Sequence, residues 1–238
     1  MAQQPPGPPN YPPPPPGGAY PAPPPAGTAQ ATPGPYGADP YAAQRAIEAW
    51  AQSNGYTFGA TPDPAWYQAW NPFAYLFRIS RLGRELRAEF QGATVFLVEA
   101  FDPDPLKQAS GDAGALCGFV TSPKLACRVA IRSKQGGGVM NELKSGFGAL
   151  FSQSGPGGVL GDPTFEARFD VSSPSRDEGN RALPLGLRQH LLQSGWRGIL
   201  ETRPGGLVCC TFGQHGFDPQ TLDAAHLTLG QLFTLATS

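Results

Sequence analysis

Apolar positions in the last third of the chain follow two different periods, and the switches between them mark out its elements. Phe165, Ala167, Phe169 and Val171 alternate with Glu166, Arg168 and Asp170, which predicts a strand at 164–172 with one buried face. Ser175 with Asp177 and Glu178 predicts a helix start, and Pro184 a restart. Leu187, Leu191 and Leu192 then form an apolar stripe that Gly195 ends. Segments 198–203 and 207–212 flank Pro204-Gly205, the residues a type II turn takes at its two central positions. Asp218-Pro219 predicts the cap and first position of a closing helix. Its stripe is Leu222, Ala225, Leu229, Leu232, Phe233 and Ala236. Strand, helix, hairpin and helix in that order predict an α+β fold built on a mainly antiparallel sheet.

The earlier half carries the same two periods. Asp39-Pro40 predicts the start of an N-terminal helix, Ala43, Ala46, Ile47 and Trp50 recur at helical spacing, and Asn54-Gly55 supplies a left-handed stop. Tyr56, Phe58, Trp66, Tyr67, Trp70, Phe73, Tyr75 and Phe77 follow as a dense aromatic stretch. Reading Leu82-Gly83 as a two-residue turn pairs Arg81 with Arg84, Ile79 with Leu86 and Arg78 with Arg87. One face of that hairpin carries Phe77, Ile79, Leu86 and Ala88, and the other carries Arg78, Ser80, Glu85, Arg87 and Glu89. A second turn at Gln91-Gly92 adds a strand at 94–101 and completes a three-stranded meander, ended by two proline-braced turns at Asp102-Pro103-Asp104-Pro105. Segments 116–121 and 125–131 predict a further pair across Ser122-Pro123-Lys124. Two glycine clusters, at 136–138 and 155–158, bracket a stretch containing Leu143, Phe147 and Leu150.

Composition changes this picture at one end. Sixteen of the 28 prolines fall between Met1 and Pro40, where Asp39 is the single charged residue. Proline runs lock φ and remove backbone donors, and few aliphatic side chains are there to offset ordering entropy, so 1–38 reads as a disordered Pro/Gly/Ala-rich tail. The remainder, 39–238, reads as one α+β domain, and its glycine-rich connection allows two sub-layers, 39–134 and 159–238. Pro8-Pro9-Asn10-Tyr11 fits the PPxY pattern of WW-domain ligands, so Pro8, Pro9 and Tyr11 are the candidate contact with a protein partner. A spacing or solubilising role is the simpler reading. Seventeen basic and 18 acidic residues nearly cancel, so no overall field draws in nucleic acid or anionic lipid. The start has no signal-peptide pattern, no apolar run is long enough to span a membrane, and the four cysteines form no CxxC pair. Cysteines with that usage read as reduced thiols in the cytoplasm.

Residues suited to catalysis or metal binding are few and scattered. His190 and His226 fall inside predicted helices beside apolar stripes, while His215 sits in a loop near Cys209 and Cys210. A Cys210–His215 nucleophile pair can be drawn, but no motif supports it, and adjacent Cys209 and Cys210 point to opposite sides of a strand. No serine has a GxSxG setting, no His/Cys cluster has zinc spacing, Asp102 and Asp104 lack the further ligands of a calcium loop, and neither glycine cluster has phosphate-loop spacing. No catalytic residue, cofactor site or metal site is therefore predicted.

Several of these residues carry a resemblance. Ala51, Gly55-Tyr56 and Phe58 before Asp63, then Phe90-Gln91-Gly92 before an apolar strand, are similar to a diffuse family of bacterial domains of unknown function. Gly161-Asp162-Pro163 leading to Phe165, Phe169 and Val171, then a leucine-bearing helix, a hairpin and a closing helix, extend the likeness over most of 47–236. The family supplies no established catalytic residues, so none is implied here. Its members often sit beside transmembrane segments, a feature this sequence does not show.

Together these features predict a non-enzymatic cytoplasmic binding or scaffolding protein whose tail is a spacer or docking segment. An enzyme or small-ligand sensor with its pocket near the aromatic stretch 66–77 (Trp66 to Phe77 in the sequence) is the alternative. A nucleic-acid or anion binder using Arg78, Arg81, Arg84 and Arg87 is a weaker one, since a mixed-charge sheet face explains those arginines without a ligand.

Overall fold

A computed structural model of the chain describes residues 41–59, 62, 70, 72–90, 92–110, 114–134, 160–213 and 216–238. All lie within the unit Pro40–Ser238. Eight strands among them form one sheet: β1 (Thr57–Gly59), β2 (Arg81–Phe90), β3 (Ala93–Phe101), β4 (Gly114–Thr121), β5 (Val129–Ser133), β6 (Phe169–Ser172), β7 (Gly198–Arg203) and β8 (Gly206–Thr211). Their spatial order is β1-β2-β3-β4-β8-β7-β5-β6, and every neighbouring pair is antiparallel. The helices are α1 (Ala42–Ser53), α2 (Pro105–Ser110), α3 (Pro163–Arg168), α4 (Arg176–Ala182), α5 (Leu185–Gln193) and α6 (Pro219–Ala236). The α+β class and the antiparallel sheet are as the periodicities predict.

Both faces of the sheet are covered. On one, Leu86, Leu97, Leu116, Val120, Leu200 and Leu207 meet Ile47 and Ala51 of α1, Leu187 and Leu191 of α5, and the full stripe Leu222, Ala225, Leu229, Leu232 and Phe233 of α6. On the other, Phe96, Val98, Cys117, Phe119, Ile199, Val208 and Cys210 meet Phe73, Leu76 and Ile79. This second cover comes from the described part of the aromatic stretch, an irregular segment clamped by polar contacts. Glu201, 1% exposed, accepts the Ala74 N–H at 2.8 Å and the Arg203 Nε–H at 2.7 Å, while Arg203 also donates to the Pro72 carbonyl. Two-sided burial explains why β3 reads Val95-Phe96-Leu97-Val98 without a polar break.

Local signals place several ends as expected. Gly55 (φ +72°) stops α1, and Gly92 (φ +75°) closes the β2–β3 turn, where Phe90 pairs with Ala93. Gly205 (φ +87°) turns β7 into β8. Ser175 accepts the Glu178 N–H and so caps α4; Asp218 accepts from Gln220 and Thr221 and caps α6. Asp102 and Asp104 each accept a backbone N–H two residues on, making the expected turns, and the second leads into α2.

Other expectations fail. Leu82-Gly83 is no turn: Gly83 does not take positive φ, and β2 runs through it, with a register shift between Leu82 and Glu85. A Cβ on Gly83 would fall 2.3 Å from Glu99 Oε2 and 2.9 Å from Phe101, so the glycine serves close approach rather than reversal. Ile79 and Leu86, expected on one face, consequently lie in the cores on opposite sides of the sheet. The pair expected from 116–121 and 125–131 does not form either. β4 pairs with β3 and β8, and β5 with β6 and β7. The connection between them passes the end of the β7–β8 hairpin, where Ser122 N–H reaches the Gly205 carbonyl at 2.9 Å and Gly205 N–H the Leu125 carbonyl at 2.7 Å.

The strand expected at 164–172 is half helix. Asp162 caps α3 by accepting the Phe165 N–H at 3.1 Å, Pro163 takes the first turn, and Glu166 accepts the N–H groups of Leu160 and Gly161. Only residues from Phe169 onward are extended. Phe165 and Phe169 stack at 4.6 Å, since a spacing of four suits one helical turn as well as two strand repeats. At the first helix, Tyr41 occupies the cap position with no side-chain cap bond; Asp39 and Pro40 lie outside the described residues, as do Leu143, Phe147 and Leu150.

Candidate functional site

Between the end of α1, the β2–β3 end of the sheet and the last turns of α6 lies a cavity of about 580 Å³. The sheet supplies Ala88, Val95 and Val120, and α6 supplies Leu229, Phe233 and Leu235. Phe90 of β2 and Leu227 of α6, 42% and 58% exposed, are both in its lining and give it an exposed apolar border. The volume is typical of small-molecule sites, which are mostly apolar with a few placed polar groups. Gly230 contributes to the opening, because a Cβ there would meet nothing within 4 Å.

The polar groups are few and specifically held. Gly55 turns the chain so that the Tyr56 N–H returns to the Ala51 carbonyl at 2.8 Å, and the Tyr56 ring then faces α6. Its hydroxyl lies 2.9 Å from His226 Nδ1, with the Trp50 ring 5.4 Å from Tyr56 and 6.3 Å from His226. Burial pushes the Tyr56 phenol up to about 12, so it stays protonated at neutral pH. Among the described residues its side-chain partner is Nδ1 alone; a phenol that donates there goes with the ring proton on Nε2, and one that accepts from Nδ1–H leaves Nε2 an acceptor. His190 and Gln231 also line the cavity. Among the described residues Glu89 is its single carboxylate, accepting from Thr94 at 2.9 Å and lying 3.6 Å from Arg87, and no lysine or arginine lines it.

The residues singled out in the sequence are dispersed. His226 and His190 share the cavity, but His215 lies outside the described residues, so the Cys210–His215 pair does too. Cys210 and Cys117 are buried in the core away from the helices, and Cys209 in the helix-side core. The Cys117 thiol is pushed well up by its hydrogen bond with Cys210 and by burial, and burial pushes up Cys209. Neither supplies a thiolate. Of the stretch 66–77, residue 70 and residues 72–77 are described; none lines this cavity.

The arginines are occupied singly. Arg84 holds Glu99 at 3.0 Å and stacks on Phe217, Arg81 stacks on Phe101 at 3.6 Å, and Arg87 faces Phe96 and Glu89. Arg78 is exposed. Among the described residues no group of three or more His, Cys, Asp or Glu could hold a metal ion, and no helix is long and apolar enough to cross a membrane. The Tyr56–His226 pair escaped sequence reasoning because its members are 170 positions apart and neither carries a motif.

Comparison with protein-family models gives no match, and comparison of the sequence with curated proteins gives none. Among solved structures, the chain is similar to the crystal structure of the mycobacterial trehalose monomycolate transport factor A, TtfA, with a TM-score of 0.50 and 13% identity. The likeness covers 80% of this chain and 92% of that one, and it is a likeness of fold.

Proposed function

We propose that this protein is a non-enzymatic binding module that holds the apolar part of a small amphiphile between α1, α6 and the sheet. The observation that carries the reading is the cavity of about 580 Å³, mostly apolar in lining, with exposed Phe90 and Leu227 among its lining residues. Its polar groups include a phenol–imidazole pair and a carboxylate already engaged by Thr94, a set suited to orienting a ligand. The structural neighbour is a transport factor. A transport-associated role of this broad kind, with ligand held and not converted, is what we extend to this chain. A cytoplasmic setting, and a proline-rich tail acting as spacer or as a docking segment through Pro8, Pro9 and Tyr11, complete the proposal.

Gly230→Leu tests it. The added side chain starts from a position with open space around it and replaces glycine inside a helix, so the fold should be kept or strengthened while the cavity fills. Phenylnaphthylamine, a dye whose fluorescence rises in apolar sites, should bind the full chain and lose that binding in Gly230→Leu at an unchanged melting temperature. Equal dye binding by both proteins would remove the cavity as the site.

A further inference from the structure

The charge and hydrogen-bonding pattern of the cavity selects among amphiphiles. We infer that the ligand is an uncharged acyl ester whose carbonyl accepts a hydrogen bond from His226 Nε2–H, and that a free fatty carboxylate is discriminated against. The inference rests on the binding reading above and specifies its ligand class. Tyr56 Oη and His226 Nδ1 share a hydrogen bond at 2.9 Å, and with the phenol as its donor the ring proton sits on Nε2, a nitrogen with no partner among the described residues. Trp50 packs edge-on to the imidazole at 6.3 Å and restrains the ring that presents it.

An imidazole that accepts at Nδ1 and donates from Nε2 offers a ligand one hydrogen bond and no counter-charge. Among the described residues, a carboxylate entering the cavity would meet no lysine or arginine in the lining and one like charge, Glu89, itself 3.6 Å from Arg87. Moving an ionised carboxylate out of water without a cationic partner is strongly unfavourable, whereas an ester carbonyl loses far less and regains a donor. The acyl chain follows the apolar wall of Val95, Val120, Leu229 and Phe233, and the polar remainder of the ester faces the opening beside Gln231 and Thr234.

The test compares monolaurin, the uncharged glycerol ester of lauric acid, with laurate, each displacing phenylnaphthylamine from the full chain at neutral pH. One hydrogen bond together with the desolvation of a charge should make monolaurin at least about ten-fold the stronger competitor. His226→Leu should erase most of that advantage while still binding the dye. His226→Gln, whose side-chain amide can stand in for Nε2–H, should retain it, and it keeps the test decisive if the leucine variant fails to fold. Laurate competing as well as monolaurin, or an undiminished preference in His226→Leu, would overturn the ligand class while leaving the apolar cavity standing. Failure of the parent protein to bind dye and both lipids would overturn the binding reading itself and this inference with it.

Discussion

Replacing Glu201 by alanine should be among the most damaging single substitutions outside the helices. Its side chain is 1% exposed and answers two separate demands: one carboxylate oxygen accepts the Ala74 N–H, the other takes the Arg203 guanidinium at 2.6–2.7 Å. Arg203 is itself only 16% exposed at its side chain and is boxed by Trp70 and Phe73, at 5.8 and 5.5 Å. Truncation leaves a desolvated cation without its partner, which costs about 3–5 kcal/mol in comparable buried pairs. The orphaned Ala74 N–H adds about 1–3 kcal/mol unless water reaches it. Set against a typical domain stability of about 5–15 kcal/mol, Glu201→Ala should lose at least 3 kcal/mol in urea unfolding. The double variant Glu201→Met with Arg203→Met should recover part of the loss, since it removes the unpaired charge and fills the space. A loss under about 1 kcal/mol for the single variant would mean that segment 72–79 is not held to the sheet by this pair.

Three further outcomes follow from the same geometry. Leu229→Ala should cost about 2–5 kcal/mol, because Leu229 is 2% exposed and packs over Gly118, while Leu227→Ala, at a 58% exposed position, should stay within about 0.5 kcal/mol; thermal unfolding of both separates them. Asp218→Ala should cost about 1 kcal/mol at neutral pH. Hydrogen bonds from the Thr221 hydroxyl and N–H lower the Asp218 pKa below its ordinary 3.8, so this stability is present above 3.8, and the gap between parent and variant should close as pH falls from there through the lowered folded-state pKa. Tyr56 and Tyr75 should ionise late, at about 12, both raised first by burial; Tyr56→Phe should remove one late step from the alkaline absorbance titration. Since an unfolded tyrosine ionises near 10, each also makes the fold less stable as pH climbs from about 10 to 12.

How much of this was readable depended on how local each signal is. The closing helix is legible because Asp218-Pro219 and the leucine stripe act within one element, and the β7–β8 turn because Pro204-Gly205 determines its own backbone. Gly83 misleads because glycine serves both a turn and a close approach, and only the position of Glu99 and Phe101 on the next strand decides between them. At Phe165 and Phe169 the strand and helix periods coincide, so the deciding signal is the Asp162-Pro163 cap just upstream. The strand order was out of reach: Ser122-Pro123-Lys124 looks like a hairpin turn, and nothing nearby states that β7 and β8 lie between its two arms. The cavity was equally hidden, since Tyr56, Val95, His226 and Gly230 meet only after the sheet has formed.

The insertion of the β7–β8 hairpin between β4 and β5 sets a timetable for the chain as it is made. β4 ends at Thr121, and its partner β8 begins only at Gly206. At about 5–20 residues per second, synthesis leaves roughly 4–17 s between the two. Through that interval β1 to β4 can form their meander from local pairings, but the outer edge of β4 keeps its N–H and C=O groups unpaired beside Leu116, Phe119 and Val120. Such an edge is a template for any other extended strand, including the same edge of another nascent chain. Closure then requires contacts distant in sequence, the slow class of folding event. Aggregation during expression should therefore rise steeply when Pro204-Gly205 or β8 is damaged, and far less when α1 is.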